Sequence, residues 1–144
     1  MSIMEFCTMD VVTVQEKENV QEVARKMEKM NVGTVIVIDS KSAPIGILTD
    51  RDIVVKVVSS GKDPKTTVMK DIMNPHVATL REDEGLMNAT RIMAEHGVRR
   101  LPVVNGKGML AGILSMDDIL MVLEREFNNL SKTIVQSMNT NPEH

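Results

Sequence analysis

An internal repeat without gaps constrains this chain more than any other feature. The heptapeptide Gly46–Asp52 (GILTDRD) recurs as Gly112–Asp118 (GILSMDD), so each residue lies 66 positions from its counterpart. The same offset aligns segments 11–58 and 77–124, with identities that include Val11/Val77, Thr13/Thr79, Arg25/Arg91, Met27/Met93, Val32/Val98 and Val37/Val103. Two copies of so long a period are not a solenoid. The repeat predicts two similar units packed face to face about a pseudo-two-fold axis.

Each unit has the same predicted order of elements. An extended segment precedes an amphipathic helix, a buried strand, a tight turn and a second strand that carries the heptapeptide into another helix. The extended segments are Val11–Val14 and Val77–Leu80, and the buried strands are Val35–Ile38 and Leu101–Val104. Asn19 is a predicted helix cap, and Asn31 and Gly97 are predicted helix ends.

The predicted boundaries give a first unit at 5–60, a linker at 61–70, a second unit at 71–126 and an extension at 127–144. In the extension, Phe127, Leu130, Ile134 and Met138 continue the last helix at steps of three and four. This stripe has no counterpart in the first unit, and it either closes the core or meets a second chain. Residues 139–144 are predicted to fray.

Composition and spacing argue against several function classes. The net charge of −3, with no Trp or Tyr and two Phe, disfavours nucleic acid as a partner. A single cysteine, Cys7, cannot form an internal disulfide, and no apolar run approaches a membrane span, so we expect a cytoplasmic protein. His76, His96 and His144 show no metal-ligand spacing, and no nucleophile–base pair or phosphate loop indicates an enzyme.

The hydroxyl–carboxylate pair in each heptapeptide has two interpretations. The pairs are Thr49 with Asp52 and Ser115 with Asp118. As a capping box, each pair only closes the start of a helix. As a ligand site, the carboxylate accepts ribose hydroxyls while free helix amides suit an anion. A glycine within each strand, Gly46 or Gly112, favours close approach of a ligand or of another backbone segment.

Both units resemble CBS domains, and residues 5–124 resemble one tandem pair, a Bateman module. The heptapeptides carry the resemblance, together with Val98–Val104 (VRRLPVV) and Asp71-Ile72-Met73. It implies an α+β fold of two β-α-β-β-α units with two clefts related by the pseudo-two-fold axis. In this family such clefts bind adenosyl ligands.

The resemblance also implies roles for individual residues. Asp52 and Asp118 would hold ribose hydroxyls, and Thr49 and Ser115 would contact ribose or phosphate. Adenine would lie near Thr13/Val14 and Thr79/Leu80. Arg99 and Arg100 would face phosphates, or else be solvated charges at a turn. Because the first unit has Gly33 and Thr34 instead, we expect unequal clefts, with Asp118 more important for binding than Asp52.

The sequence therefore predicts a stand-alone CBS-pair regulatory module. Its expected ligand is AMP, ADP or ATP, with S-adenosylmethionine and NAD as alternatives, and no cofactor is required. We expect a homodimer that signals to an effector protein. The alternative is a ligand-free structural or stress-related homodimeric interaction protein.

Overall fold

The computed structural model describes residues 2–140 as two three-stranded sheets with helices. The first sheet holds β1 (Thr13–Gln15), β2 (Thr34–Ile38) and β3 (Pro44–Thr49), and the second holds β4 (Leu80–Arg81), β5 (Arg100–Val104) and β6 (Leu110–Ser115). The helices are α1 (Val20–Met30), α2 (Asp50–Ile53), α3 (Met69–Ile72), α4 (Leu86–His96) and α5 (Met116–Thr140). The two-unit α+β fold expected from the repeat is confirmed.

The two sheets repeat each other in register as well as in order. In each, the first strand pairs parallel to the second, and the second pairs antiparallel to the third. Val37 faces Gly46, and Val103 faces Gly112, with an irregularity directly after each pair. Equal registers place the two heptapeptides at equivalent positions of their units.

Local signals end the first long helix of each unit as expected. Asn19 accepts a hydrogen bond from the Glu22 amide at 2.9 Å and caps α1. Asn31 and Gly97 adopt the left-handed conformation, with φ of 52° and 62°, after α1 and α4. A short polar residue and a glycine tolerate this conformation, so both helices stop where the next strand must turn back.

The final helices of the two units differ in length. After α2 the chain continues as a π-helical segment, Val54–Val58. In the second unit α5 runs without interruption for 25 residues, so residues 139 and 140, predicted to fray, are helical. The rest of that predicted frayed segment, 141–144, lies outside the described residues. None of the helices formed by residues 2–140 is both long and apolar enough to cross a membrane.

Two lead-in segments, residues 3–9 and 69–75, each pack on one of the two cores. Ile3 belongs to the core of the second unit, with Leu80, Leu101 and Leu114. The second lead-in places Met69 and Ile72 in the core of the first unit. The N-terminal lead-in thus crosses to the far unit, and burial of these apolar side chains ties the two halves of the chain together.

The strand glycines mark where these lead-ins pass. A Cβ at Gly46 would lie 2.3 Å from the Met73 sulfur, and one at Gly112 would lie 3.0 Å from the Thr8 carbonyl oxygen. Thr8 pairs with Ile113, and Asn74 with Ile47, as isolated antiparallel bridges. The close approach predicted at both glycines is made by the chain itself.

Candidate functional site

A cavity of about 730 Å³, called here the large cleft, lies between the two units. One wall comes from the end of β3 and the start of α2, with Thr49 and Asp52. A second wall is the stretch 73–78, and the third is the turn 97–100 between α4 and β5. Because both units contribute walls, a molecule that fills the cleft contacts both.

The Thr49–Asp52 pair forms the capping box predicted as its simpler interpretation. The Asp52 Oδ2 accepts hydrogen bonds from the Thr49 amide at 2.9 Å and from the Thr49 hydroxyl at 3.1 Å, and the hydroxyl accepts one from the Asp52 amide. The other carboxylate oxygen lies 3.6 Å from the Lys56 Nζ. Capping therefore uses one carboxylate oxygen of Asp52, and the other oxygen faces the cationic side chains of the cleft.

Cationic side chains dominate the charge of the large cleft. Arg51, Lys56, Arg99 and Arg100 face one carboxylate, that of Asp52, which leaves three positive charges in excess. The chain as a whole carries −3. Arg99 lies 3.9 Å from Asp117, but both side chains are more than 70% exposed, so this ion pair neutralises little charge. The local excess suits an anionic ligand.

The stretch 73–78 adds residues that the sequence reasoning missed. Asn74 exchanges backbone hydrogen bonds with Ile47 at 3.1 and 3.2 Å, and its side chain accepts from the His76 amide at 3.1 Å. These bonds fix His76 along the cleft wall. The repeat could have drawn attention to His76, because at the 66-residue offset this basic residue aligns with an acidic one, Asp10.

The small cleft, a cavity of about 280 Å³, lies at the pseudo-equivalent place. Its lining includes Thr8, Asp10, the turn 31–34, Arg100 and Ile113. Ser115 and Asp118 form the same capping box as the first pair, with bonds of 3.2 and 3.0 Å, but they line neither cleft. The hydroxyl–carboxylate pair of the second heptapeptide is therefore set apart from its cavity, although Ile113 of the same heptapeptide lines it.

The charge difference between the clefts follows from substitutions within the repeat. At five pseudo-equivalent positions the large cleft carries a basic side chain where the other unit has an acidic, apolar or small one. The pairs are Arg51/Asp117, Lys56/Val122, His76/Asp10, Arg99/Gly33 and Arg100/Thr34. The duplicated fold thus provides two cavities, and sequence divergence makes one of them cationic.

Arg99 and Arg100, which led us to expect that Asp118 is more important for binding than Asp52, lie in the cleft with Asp52 and not with Asp118; the relative importance of the two aspartates stays a prediction. Arg99 and Arg100 project from the second unit into the cleft that contains Thr49 and Asp52 of the first unit. Arg100 also reaches the small cleft, but Asp118 lines neither. The reason is the face-to-face packing, which sets the turn of each unit against the heptapeptide of the other.

The residues expected near adenine lie behind the clefts. Val14 and Leu80 are buried in the two cores, and Thr13 and Thr79 are half-buried beside them. None of the four lines either cleft; residues 76–78 and 10–12 do so instead. Main-chain contact between these strand residues and a ligand stays a prediction.

Cys7 lies in the first lead-in, close to the second heptapeptide. Its thiol donates a hydrogen bond to the Ile3 carbonyl at 3.1 Å. Burial, with a contribution from the negative charge of Asp118, raises the pKa of the Cys7 thiol to about 11. Cys7 therefore remains a protonated, weakly nucleophilic packing residue at neutral pH.

Two pseudo-symmetric α+β units with two cavities between them define a tandem-domain module. The family model described as "CBS domain" matches residues 3–59 and 69–125. The chain belongs to the CBS-domain family and contains two CBS domains.

Relatives and solved structures agree with this assignment. The chain is 43% identical over 121 residues to an uncharacterized protein of Methanopyrus kandleri, matching 84% of this chain and 62% of that relative's length. It is 32% identical to the CBS domain-containing protein YhcV of Bacillus subtilis, covering 99% of this chain and 96% of YhcV. The cytosolic domain of the Mg²⁺ channel MgtE, solved in complex with ATP, matches with a TM-score of 0.74 and 32% identity, over 84% of this chain and 48% of that one.

Proposed function

We propose that the chain is a regulatory module whose large cleft binds an adenine nucleotide through its phosphates. The observation that carries this proposal is the charge divergence at the five positions that line the large cleft. These basic side chains are not needed for folding, because the pseudo-equivalent position of the other unit adopts the same fold without a basic residue in each of the five pairs. An anionic ligand accounts for the divergence.

The cationic side chains divide into two groups on opposite walls. Arg51 and Lys56 follow Thr49 in the first unit, and Arg99 and Arg100 come from the second unit. A guanidinium presents paired donors that match phosphate oxygens. A phosphate held between the two walls would bond to both units at once.

The remaining lining suits a nucleoside. Ile47, Val77, Ala78, Val98 and Pro102 provide an aliphatic surface for a base, in a chain that has no Trp or Tyr. The Asp52 oxygen outside the capping box would accept ribose hydroxyls. The volume of about 730 Å³ falls in the range of small-molecule sites, whereas the 280 Å³ of the small cleft lies below it. The ATP complex of the MgtE cytosolic domain supports the same ligand class.

Regulation would follow from the position of the ligand between the units. Without an anion, four cations on facing walls repel one another; a bound phosphate would draw the walls together. The shift between arrangements can be no larger than the difference in ligand affinity for them. An effector protein that contacts both units would bind one arrangement of the units in preference to the other.

A ligand-free interaction protein is the second candidate function. The observation in its favour is that both capping boxes are complete, so Asp52 and Asp118 have structural roles without any ligand. This candidate gives no account of the five-position charge divergence. The two candidates differ in one measurable property, the stabilisation of the folded chain by nucleotides.

Thermal-shift titration tests the proposal. We expect AMP, ADP or ATP to raise the melting temperature, because a ligand that binds only the folded state stabilises it. NAD, S-adenosylmethionine and adenosine complete the series. No shift with any of these six compounds would support the ligand-free candidate and refute the proposal.

Arginine variants then test the phosphate assignment. Arg100→Ala should weaken AMP binding by about tenfold or more while it spares adenosine, since a charge-assisted bond to phosphate contributes about 1.5–3 kcal/mol. Arg91→Ala is the matched control, because Arg91 pairs with Glu95 on α4 outside both clefts. An equal loss for AMP and adenosine would remove Arg100 from phosphate contact.

A further inference from the structure

Arg100 lines both the large and the small cleft. It is the first residue of β5 and pairs with Ser115 on β6. Its counterpart at the 66-residue offset, Thr34, is the first residue of β2, pairs with Thr49 on β3 and also lines both clefts. The starts of these two equivalent strands therefore form the partition between the clefts. Of the two residues only Arg100 is charged, and it can present its charge to either cleft.

No carboxylate among residues 2–140 holds the Arg100 guanidinium in one place. The neighbouring Arg99 lies 3.9 Å from Asp117, but the ion pairs formed within this part of the chain do not include Arg100. The Arg100 side chain is exposed, and an arginine has many rotamers available. It can therefore turn toward whichever cleft offers the stronger attraction.

The small cleft offers this side chain an acidic partner. Among the described residues that line the small cleft, Asp10 is the only acid and Arg100 the only base. In the large cleft the one acid of the described lining is Asp52, whose carboxylate closes a capping box and faces Lys56. While no anion occupies the large cleft, its other cations repel Arg100 and Asp10 attracts it.

We propose that Asp10 and a phosphate group compete for Arg100, which makes Asp10 a positioning residue for the large cleft. In the ligand-free chain Asp10 holds the guanidinium on the side of the small cleft. A phosphate in the large cleft draws the guanidinium across the partition. This inference rests on the proposed binding of a nucleotide in the large cleft, and it adds a residue that opposes that binding.

The competition lowers the affinity of the large cleft for a phosphate. The apparent affinity falls in proportion to the fraction of molecules in which Arg100 faces the large cleft. Without the carboxylate of Asp10 this fraction rises, so binding becomes tighter. The effect is modest, because an ion pair between exposed side chains is weak.

Calorimetric titration of the full chain with AMP tests the competition. Asp10→Asn should tighten AMP binding by about two- to fivefold, the range that an exposed ion pair supports. It should leave adenosine binding unchanged, since adenosine has no phosphate. In an Arg100→Ala background the same substitution should not affect AMP binding. No gain in Asp10→Asn, or an equal gain with and without Arg100, would overturn the proposal.

Asp83→Asn is the matched control, because it also removes one negative charge. Asp83 pairs with Arg81 at 2.7 Å and lines neither cleft. We expect this variant to bind AMP as tightly as the native chain does. Equal gains in Asp83→Asn and Asp10→Asn would assign the effect to net charge and contradict a competition for Arg100.

Nuclear magnetic resonance of the Arg100 side chain tests the pairing without a nucleotide. The Nε–H signal of Arg100, assigned with Arg100→Lys, should shift in ligand-free Asp10→Asn and stay in place in Asp83→Asn. A signal that does not respond to Asp10→Asn would overturn the proposal even if AMP binds. A native chain that binds no AMP would refute the proposed function, and a shifted signal in Asp10→Asn would then still support the pairing of Arg100 with Asp10.

Discussion

Asp52 and Asp118 occupy equivalent positions in two capping boxes, and their surroundings differ. Asp52 lines a cleft with four cationic side chains, whereas Asp118 lines neither cleft and lies near the Cys7 thiol. Variants of the two aspartates can therefore be compared to separate helix capping from ligand binding. Both residues cap a helix, but only Asp52 lies in a position to contact a ligand in the large cleft.

The alanine variants of these two aspartates should therefore differ in nucleotide binding. Asp52→Ala and Asp118→Ala should each lower the free energy of unfolding by about 0.5–2 kcal/mol, the usual effect of losing a cap. Asp52→Ala alone should weaken nucleotide binding, by about tenfold or more. Urea unfolding and calorimetric titration measure the two effects. A larger binding loss in Asp118→Ala would restore the partnership expected from the sequence.

The raised pKa of Cys7 gives a second prediction. The alkylation rate with iodoacetamide should rise with pH through a midpoint near 11 in the folded chain, and near the ordinary 9.0 in urea. Because the folded chain favours the neutral thiol, Cys7 contributes to the free energy of unfolding. This contribution is complete below pH 9 and is lost as the pH rises through 11. Asp118→Asn should lower the midpoint, since it removes one of the two causes. A folded-state midpoint near 9 would contradict the burial of the thiol.

Among the elements, the second lead-in approaches β3 most closely at Gly46. Gly46→Ala would set a methyl group 2.3 Å from the Met73 sulfur. We expect a loss of about 1–3 kcal/mol in the free energy of unfolding, typical of overpacking. Because Met73 also lines the large cleft, its displacement should weaken nucleotide binding.

A double-mutant cycle isolates this contact. Met73→Ala should cancel most of the cost of Gly46→Ala, since the small side chain leaves room for the new methyl group. Gly106→Ala is the control, because no atom lies within 4 Å of its added Cβ. Additive losses in the Gly46→Ala/Met73→Ala variant would show that the strain lies elsewhere.

The elements themselves were predictable because their signals are local or repeated. The start of α1 is marked by the capping side chain of Asn19, and the ends of α1 and α4 are marked by the left-handed backbone of Asn31 and Gly97. The 66-residue offset then allows an element predicted in one unit to be predicted in the other. The grouping of Arg99 with Asp52 was not predictable. It depends on which unit's turn faces which heptapeptide, and a single sequence contains no record of packing between distant segments.

Over the whole molecule, the exchange of lead-ins makes each core depend on a distant part of the chain. Ile72→Ala should destabilise chiefly the first unit, and Ile3→Ala chiefly the second, each by about 2–5 kcal/mol. Hydrogen exchange of the β2 and β5 amides should locate the two effects. Faster exchange in β5 after Ile72→Ala, with β2 unchanged, would contradict the assignment of the lead-ins.

The crossing of the first lead-in also sets an order of events during synthesis. Ile3 precedes Leu114, its neighbour in the same core, by 111 residues, so it is synthesised well before that partner is available. The first unit needs only Met69 and Ile72 to complete its core, so it can close while the second is still being made. Long-range contacts of this kind slow folding, since a large loop must close before they stabilise anything. We therefore expect the first lead-in to pack only after the second unit has been synthesised.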